Sequence, residues 1–183
     1  MRRERFATNE YLRIAALPPR ELERLVVRGD TPDLDALVGW EFRGTNAWPP
    51  LVTLLGIKKF IKGFFKDDAG ATWGYNIPVR QNGLGAAWTY KDPVHPRRFG
   101  FYRVGRVDAT ARDNAYLHAV LLDYGRGGNP VFDPSSALRD YLVRVGKGSD
   151  ELLLGKAYAA VGSARVPVGY FVLERQHATD WRR

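Results

Sequence analysis

Eight short runs of β-branched and aromatic residues follow one another between residues 38 and 175. Gly, Pro, Asp and Asn punctuate the segments between them, as is typical of turns between strands. No long helical pattern separates one run from the next, so consecutive strands are expected to pair as antiparallel neighbours. The predicted strands cover residues 38–45, 58–66, 72–80, 98–107, 116–124, 138–145, 152–159 and 166–175.

An up-and-down sheet of eight strands has two unpaired edges unless it closes on itself. Closure removes both edges, and an eight-stranded barrel has room for side chains or for one small ligand. The predicted fold class is therefore mainly β: an eight-stranded antiparallel up-and-down barrel with N-terminal helices.

The first 37 residues have helical spacing instead. Helices are predicted over residues 6–17 and 21–28, the first capped by Thr8 or Asn9 and the second ended by Gly29, with a helical turn over residues 31–37. This segment either covers one mouth of the barrel or packs on its outer wall. The predicted organisation is a helical segment packing on the barrel over residues 1–37, a barrel over 38–175 and a frayed tail over 176–183. A further short helix entered through Pro50 is predicted over an opening.

Two ends of the barrel region carry a recognisable pair of residues. Gly39 precedes Trp40 at the first strand, and Arg175 closes the last strand. Asp123 and Tyr124 lie further along, preceded by Leu122. This pattern resembles lipocalin-like (calycin) barrels, in which an Arg covers the Trp ring at the closed end; their Thr-Asp-Tyr motif has Leu here in place of Thr.

The resemblance implies a barrel-closing contact between Trp40 and Arg175, and a barrel that binds a small ligand. A guanidinium packed on a Trp ring is also expected to fill the narrow end of a barrel. The cation–π attraction is worth about 1 kcal/mol or more once the pair is desolvated.

Composition excludes several classes of protein. The chain has 183 residues, which suits one domain, and no Cys, which excludes disulfides and thiolate metal sites. The absence of Cys fits a reducing compartment, so a cytoplasmic location is expected, and no apolar run approaches a membrane span. The net charge is +8, but three basic residues lie among the first five positions and two at the end, so much of the excess is diffuse.

Motifs for known chemistry are missing from the sequence. It contains no phosphate-binding loop, no Gly-x-Ser-x-Gly elbow and no His pair with metal spacing, so no cofactor and no metal site is predicted. His118 lies within an apolar run, where it is either an ordinary wall residue or a polar group inside the barrel. If Ala119 lets a helix approach the other face of that strand, His118 and Tyr116 turn towards the cavity.

The leading hypothesis is that the barrel binds a small, largely apolar molecule without catalysis. Pockets of this kind combine an apolar lining with a few polar groups. The predicted lining residues are Phe60, Phe64, Trp73, Tyr75, Phe101, Tyr116, His118, Tyr158 and Phe171.

Three alternatives stay open. An enzyme of isomerase, cyclase or hydratase type on a lipid-like substrate requires ionisable groups such as His118, Lys156 or Asp123 to face inward together. A basic module for nucleic acid or anionic membrane would use the lysines along one strand, and a filled barrel would bind nothing. The prediction is against nucleic acid, leaves peripheral membrane contact open and makes no statement on oligomeric state. The strand lysines are Lys58, Lys59, Lys62 and Lys66.

Overall fold

A closed barrel of eight antiparallel strands forms the body of the chain. The computed structural model describes residues 6–48, 56–146 and 149–183. Each strand pairs with the next, and the last pairs with the first, which confirms the predicted fold class. The strands are β1 (Trp40–Trp48), β2 (Lys59–Lys66), β3 (Thr72–Pro78), β4 (Phe99–Arg106), β5 (Val120–Asp123), β6 (Leu138–Arg144), β7 (Leu152–Val161) and β8 (Ala164–Ala178).

The strands β5 and β8 differ most from their predicted lengths. β5 is short because residues 116–119 form a turn, in which the Ala119 amide donates to the Tyr116 carbonyl at 2.9 Å. β8 runs on to Ala178, and the ring of Trp181 packs edge-on against Phe65 and Tyr75. The expectation of a frayed tail from residue 176 is therefore wrong, because this segment has its own aromatic contacts with the barrel wall.

Three helices precede the barrel: α1 (Asn9–Ala15), α2 (Pro19–Arg28) and α3 (Leu34–Leu37). Thr8 caps α1, since its side chain accepts a hydrogen bond from a backbone amide of the first turn. None of the helices within the described residues is long and apolar enough to cross a membrane. The further helix expected through Pro50 falls on residues 49–55, which lie outside the described residues.

The helices occupy both of the places that the sequence left open. α1 contacts β8 and α2 contacts β7, and the apolar side chains of both helices join a core on the outer wall of the barrel. Leu37 of α3 instead packs with Phe42 and other residues of the barrel interior. The first two helices therefore cover the wall, and the third covers the end at which β1 begins.

A second core fills the barrel. Its large rings are accommodated because a glycine on a neighbouring strand leaves room beneath them; a Cβ atom on that glycine would come within 2.2 Å of the ring. The inward pairs place Phe60 over Gly44, Tyr102 over Gly74 and Phe171 over Gly155, and the outward pair places Tyr75 over Gly63.

Candidate functional site

A cavity of about 180 Å³ lies inside the barrel, towards the end at which β1 finishes. Strand alternation explains its wall: Phe60 and Lys62 are two residues apart on β2, and Leu138 and Asp140 are two apart on β6. Apolar side chains cover most of the wall, and six lining residues carry polar groups: Asn46, Lys62, Asn76, Tyr124, Ser135 and Asp140. The apolar lining residues are Ile57, Phe60, Phe99, Leu138, Ala157, Val168 and Phe171.

Phe60 and Phe171 form one side of this wall as a pair. Their ring centres are 6.0 Å apart at an interplanar angle of 71°, an edge-to-face arrangement that aromatic rings favour. Each ring rests on a glycine, Gly44 or Gly155, so the pair lies close to the backbone and leaves space towards the barrel axis.

The polar part of the cavity is built around Lys62, whose side chain is 3% exposed. Its ammonium donates a hydrogen bond to Asn76 Oδ1 at 3.1 Å and another to the hydroxyl of Tyr124. Its Nζ also lies 3.5 Å from Asp140 Oδ2. Asn76 is itself fixed, because its Nδ2 donates to the Gly100 carbonyl at 2.9 Å. The result is a buried Lys–Asp ion pair held by a Tyr and an Asn.

Burial sets the electrostatics of this group. Desolvation lowers the pKa of Lys62, and the nearby Asp140 carboxylate opposes that shift. Desolvation likewise raises the pKa of Asp140, opposed by the charge of Lys62, and raises the pKa of the Tyr124 phenol well above its usual value. Lys62 and Asp140 each stabilise the charged form of the other, so the two depend on one another.

Two polar atoms of this cavity have no hydrogen-bond partner among the described residues. One is Asp140 Oδ1, on a side chain that is only 5% exposed, and the other is Ser135 Oγ. Ser135 lies beside the polar group: a Cβ atom on Gly100 would be 3.4 Å from Ser135 Oγ and 3.1 Å from Asn76 Nδ2. A buried polar atom without a partner is costly, so a hydrogen bond from any group that reached either atom would be favourable.

The structure brings three of the predicted lining residues inside the barrel. Phe60 and Phe171 line the cavity. Phe64 lies deeper in the interior core, where its ring meets Phe42 at 5.5 Å and Tyr102 at 6.0 Å.

The other six predicted lining residues lie outside the barrel, with the outer core, and their expected inward orientation is corrected here: Trp73, Tyr75, Phe101, Tyr116, His118 and Tyr158. The Trp73 indole donates to Asp67 at 2.7 Å, and the Tyr75 hydroxyl donates to Glu41 at 2.8 Å. Phe101 stacks on Trp181 of the C-terminal segment. Aromatic content alone could not separate the two faces, because the outer and the interior core both contain aromatic residues.

Tyr116, His118 and Tyr158 face helix α2. The hydroxyls of Tyr116 and Tyr158 lie 3.2 Å apart, and Tyr116 donates to Glu23 of α2 at 2.8 Å. His118 Nε2 lies 2.9 Å from the Val26 carbonyl. The prediction that Ala119 turns Tyr116 and His118 inward fails because these residues form a turn rather than a strand, so strand alternation does not apply to them.

The ionisable groups expected inside an enzyme barrel do not meet there either. Lys156 lies on the outer face and pairs with Glu23 at 2.6 Å. Asp123 pairs with Arg139 at 3.1 Å. The groups that do meet inside are Lys62, Asp140 and Tyr124, and the alternation of Lys62 with Phe60 and Phe64 was the sequence signal for the first of them.

Trp40 and Arg175 come together at the closed end of the barrel. The guanidinium carbon of Arg175 lies 4.7 Å from the centre of the Trp40 ring. Arg175 also donates to the Ala36 carbonyl at 2.9 Å and pairs with Glu151 at 3.2 Å. The guanidinium therefore ties the segment before β1 to the end of β8.

The lysines of β2 and its approach do not share one surface. Lys59 is buried, and its ammonium donates to four oxygens of the loop between β3 and β4 while lying 3.8 Å from the centre of the Trp88 ring. Lys62 points into the barrel, and Lys66 pairs with Asp35 at 2.7 Å. Only Lys58 of the four is exposed without a side-chain ion pair in the part of the chain that the structure describes.

Comparisons with known proteins add no assignment. No protein-family model matches this chain, and neither curated proteins nor solved structures match it. Any function for the cavity therefore rests on its own side chains.

Proposed function

We propose that this chain is a lipocalin-like barrel that binds a small, largely apolar molecule in the cavity beside Lys62 and Asp140, without catalysis. The observation that carries the proposal is the cavity itself, an apolar wall with a buried polar group at one side. That combination is the usual design of small-molecule pockets, in which apolar contacts supply affinity and a few polar atoms orient the ligand.

The size of the cavity limits the ligand. At about 180 Å³ it is comparable to the roughly 150 Å³ engineered cavity that accepts benzene. The ligand, or the part of it that enters the barrel, is therefore of the size of one ring or a short chain. The contact between Arg175 and Trp40 supports the lipocalin-like relationship because it reproduces the closed end of such barrels.

Native mass spectrometry of freshly purified protein, followed by titration with an environment-sensitive apolar dye, tests the proposal. Ala157 lines the cavity on β7, so Ala157→Leu fills part of the space and is expected to lower dye affinity about tenfold or more. Ala160 lies three residues further along the same strand, on the opposite face, so Ala160→Leu is the matched control and leaves dye affinity unchanged. Equal dye binding by the wild type and Ala157→Leu would contradict the cavity as the site.

A second candidate is an enzyme of isomerase, cyclase or hydratase type on the same barrel. Lys62, Asp140 and Tyr124 are three ionisable groups in one apolar cavity, which is the arrangement that proton transfer to or from a substrate requires. If a co-purified ligand is recovered from the wild type in a chemically altered form, and this altered form is absent from the Asp140→Asn variant, an enzyme is favoured over simple binding. Nucleic-acid binding is not part of either proposal.

A further inference from the structure

The hydrogen-bond inventory of the cavity limits what its ligand can be. A Lys ammonium has three N–H groups, and those of Lys62 are taken by two hydrogen bonds, to Asn76 and Tyr124, and by the ion pair with Asp140. Lys62 therefore has no donor left for a ligand. All three N–H groups of Lys62 have protein partners, so a ligand carboxylate could not accept a hydrogen bond from this ammonium.

The buried atoms of this cavity that are left without a partner are an acceptor and a hydroxyl. Asp140 lines the cavity, and its Oδ1 is buried with no partner among the described side chains and backbone groups; as a carboxylate oxygen it can only accept. Ser135 Oγ is also buried without a partner in the same cavity, and it can donate or accept. A complementary ligand thus supplies one donor and one acceptor, and a hydroxyl group does both.

We infer that the cavity selects a ligand whose polar end is a hydroxyl group, donating to Asp140 Oδ1 and accepting from Ser135 Oγ. This inference rests on the proposed function of the cavity. A hydrocarbon of the same size leaves both protein atoms unsatisfied, which is costly in a buried site. A carboxylate places a second anion beside Asp140, and an ether supplies no donor for it.

Four one-ring probes of similar size test this selectivity by isothermal titration: benzyl alcohol, its isomer anisole, toluene and benzoate. Benzyl alcohol is expected to bind at least about tenfold more tightly than each of the others, since it alone satisfies a buried acceptor that otherwise has no partner. Ser135→Ala is expected to weaken benzyl alcohol severalfold and to leave toluene unchanged.

Asp140→Asn gives a sharper test, because it converts the free acceptor into a donor. The ammonium of Lys62 can only donate, so the new amide turns its oxygen to Lys62 and its NH₂ to the cavity. The affinity of this variant for anisole is then expected to be about tenfold higher than that of the wild type, and equal to its affinity for benzyl alcohol. Asp68→Asn makes the same chemical change at an exposed turn position and is expected to preserve the wild-type order.

The outcomes separate this inference from the function on which it rests. If the probes bind and Ala157→Leu blocks them, but benzyl alcohol is no tighter than anisole, the hydroxyl selectivity is wrong and the binding function stands. If no probe binds, or Ala157→Leu leaves binding intact, both are wrong. Should Asp140→Asn fail to fold, the wild-type order of the probes and the response to Ser135→Ala decide: equal losses for benzyl alcohol and toluene in Ser135→Ala overturn the selectivity.

Discussion

Lys62 places a positive charge inside an otherwise apolar barrel, and only its partners make that arrangement stable. Its side chain and that of Asp140 are almost completely buried, and each is the only group of opposite charge with which the other forms an ion pair among the described residues. Removing one partner of a buried pair strands the other, whereas replacing both by apolar residues avoids the desolvation cost. Each member of the pair therefore depends on the other, and the pair as a whole contributes little to stability.

Lys62→Met is expected to destabilise the protein by about 3–5 kcal/mol at neutral pH, because it leaves the Asp140 charge buried and unpaired. The pKa of Asp140 is already raised by burial, and loss of Lys62 removes the charge that opposes this shift. A carboxyl with a raised folded-state pKa favours folding below its unfolded pKa of about 3.9, and this contribution is lost as pH rises. Urea midpoints should therefore show a smaller penalty at pH 4 than at pH 8.

Two variants accompany this measurement. Adding Asp140→Leu to Lys62→Met is expected to recover most of the lost stability, since no charge is then left in the barrel. Lys66→Met, four residues along the same strand, changes a half-exposed lysine paired with Asp35 and should cost less than about 1 kcal/mol. A pH-independent loss in Lys62→Met would contradict the coupling to Asp140.

The sequence revealed part of this site and not the rest. Lys62 shares a strand face with Phe60 and Phe64, which were predicted to line the cavity, so its inward orientation could have been inferred from spacing alone. Asp140 could not be paired with it in advance, because their contact depends on the distance across the barrel between β2 and β6. The orientation of His118 was mispredicted because a run of apolar residues is compatible both with a strand and with a turn that packs against a helix.

At the scale of elements, the buried Lys59 of β2 helps to hold the loop between β3 and β4 to the barrel. The Lys59 ammonium donates to Asn82 Oδ1 at 2.6 Å and to the carbonyl oxygens of Gly83, Ala86 and Ala87 at 3.0–3.2 Å. Trp88 in turn donates to the Gly44 carbonyl at 3.0 Å. The loop is therefore folded around a cation on β2, although its own sequence has no regular pattern.

Lys59→Met is expected to release this loop, because the methionine cannot replace the hydrogen bonds to the loop oxygens and leaves those oxygens without a donor. Hydrogen exchange of the amides over residues 82–88 should become at least tenfold faster, while exchange in β6 and β7 changes little. Lys58→Met is the matched control: its side chain is exposed, and loop exchange should stay at the wild-type rate. Equal protection of the loop in both variants would show that Lys59 does not hold it.

The sequence predicted where the strands lie more accurately than it predicted where they begin and end. Each of the eight strands overlaps its predicted range, because alternating β-branched and aromatic residues and the turns between them act locally. The start of β5 and the end of β8 depend on contacts with α2 and with the barrel wall, which are distant in sequence. The loop around Lys59 likewise depends on a residue from another element.

At the scale of the whole molecule, the barrel is closed at one end by residues from its first and last strands. The Trp40 ring lies against Arg175, and β1 pairs with β8, so the contact joins the two ends of the barrel sequence. Leu37 of α3 packs into the interior at the same end. The end of α3, the start of β1 and the last part of β8 therefore meet at this end of the barrel.

Trp40→Ala is expected to destabilise the protein by about 3 kcal/mol, the low end of the range for Trp→Ala, because the ring is only half-buried. The denaturation midpoint should fall with an unchanged slope. Trp48 lies at the other end of the same strand and is exposed, so Trp48→Ala should cost less than about 1 kcal/mol. Similar denaturation midpoints for the two variants would show that Trp40 does not stabilise the closed end of the barrel.

The glycines beneath the interior rings bear on how such a barrel could change through evolution. Phe60 and Phe171 rest on Gly44 and Gly155 and meet each other across the cavity wall. The backbone ladder runs through the glycines and does not depend on the size of the rings above them. Trimming either ring would enlarge the cavity while the strand register stays the same. A lineage carrying this barrel can therefore change the size of its interior cavity by single substitutions at two positions, without a change in strand pairing.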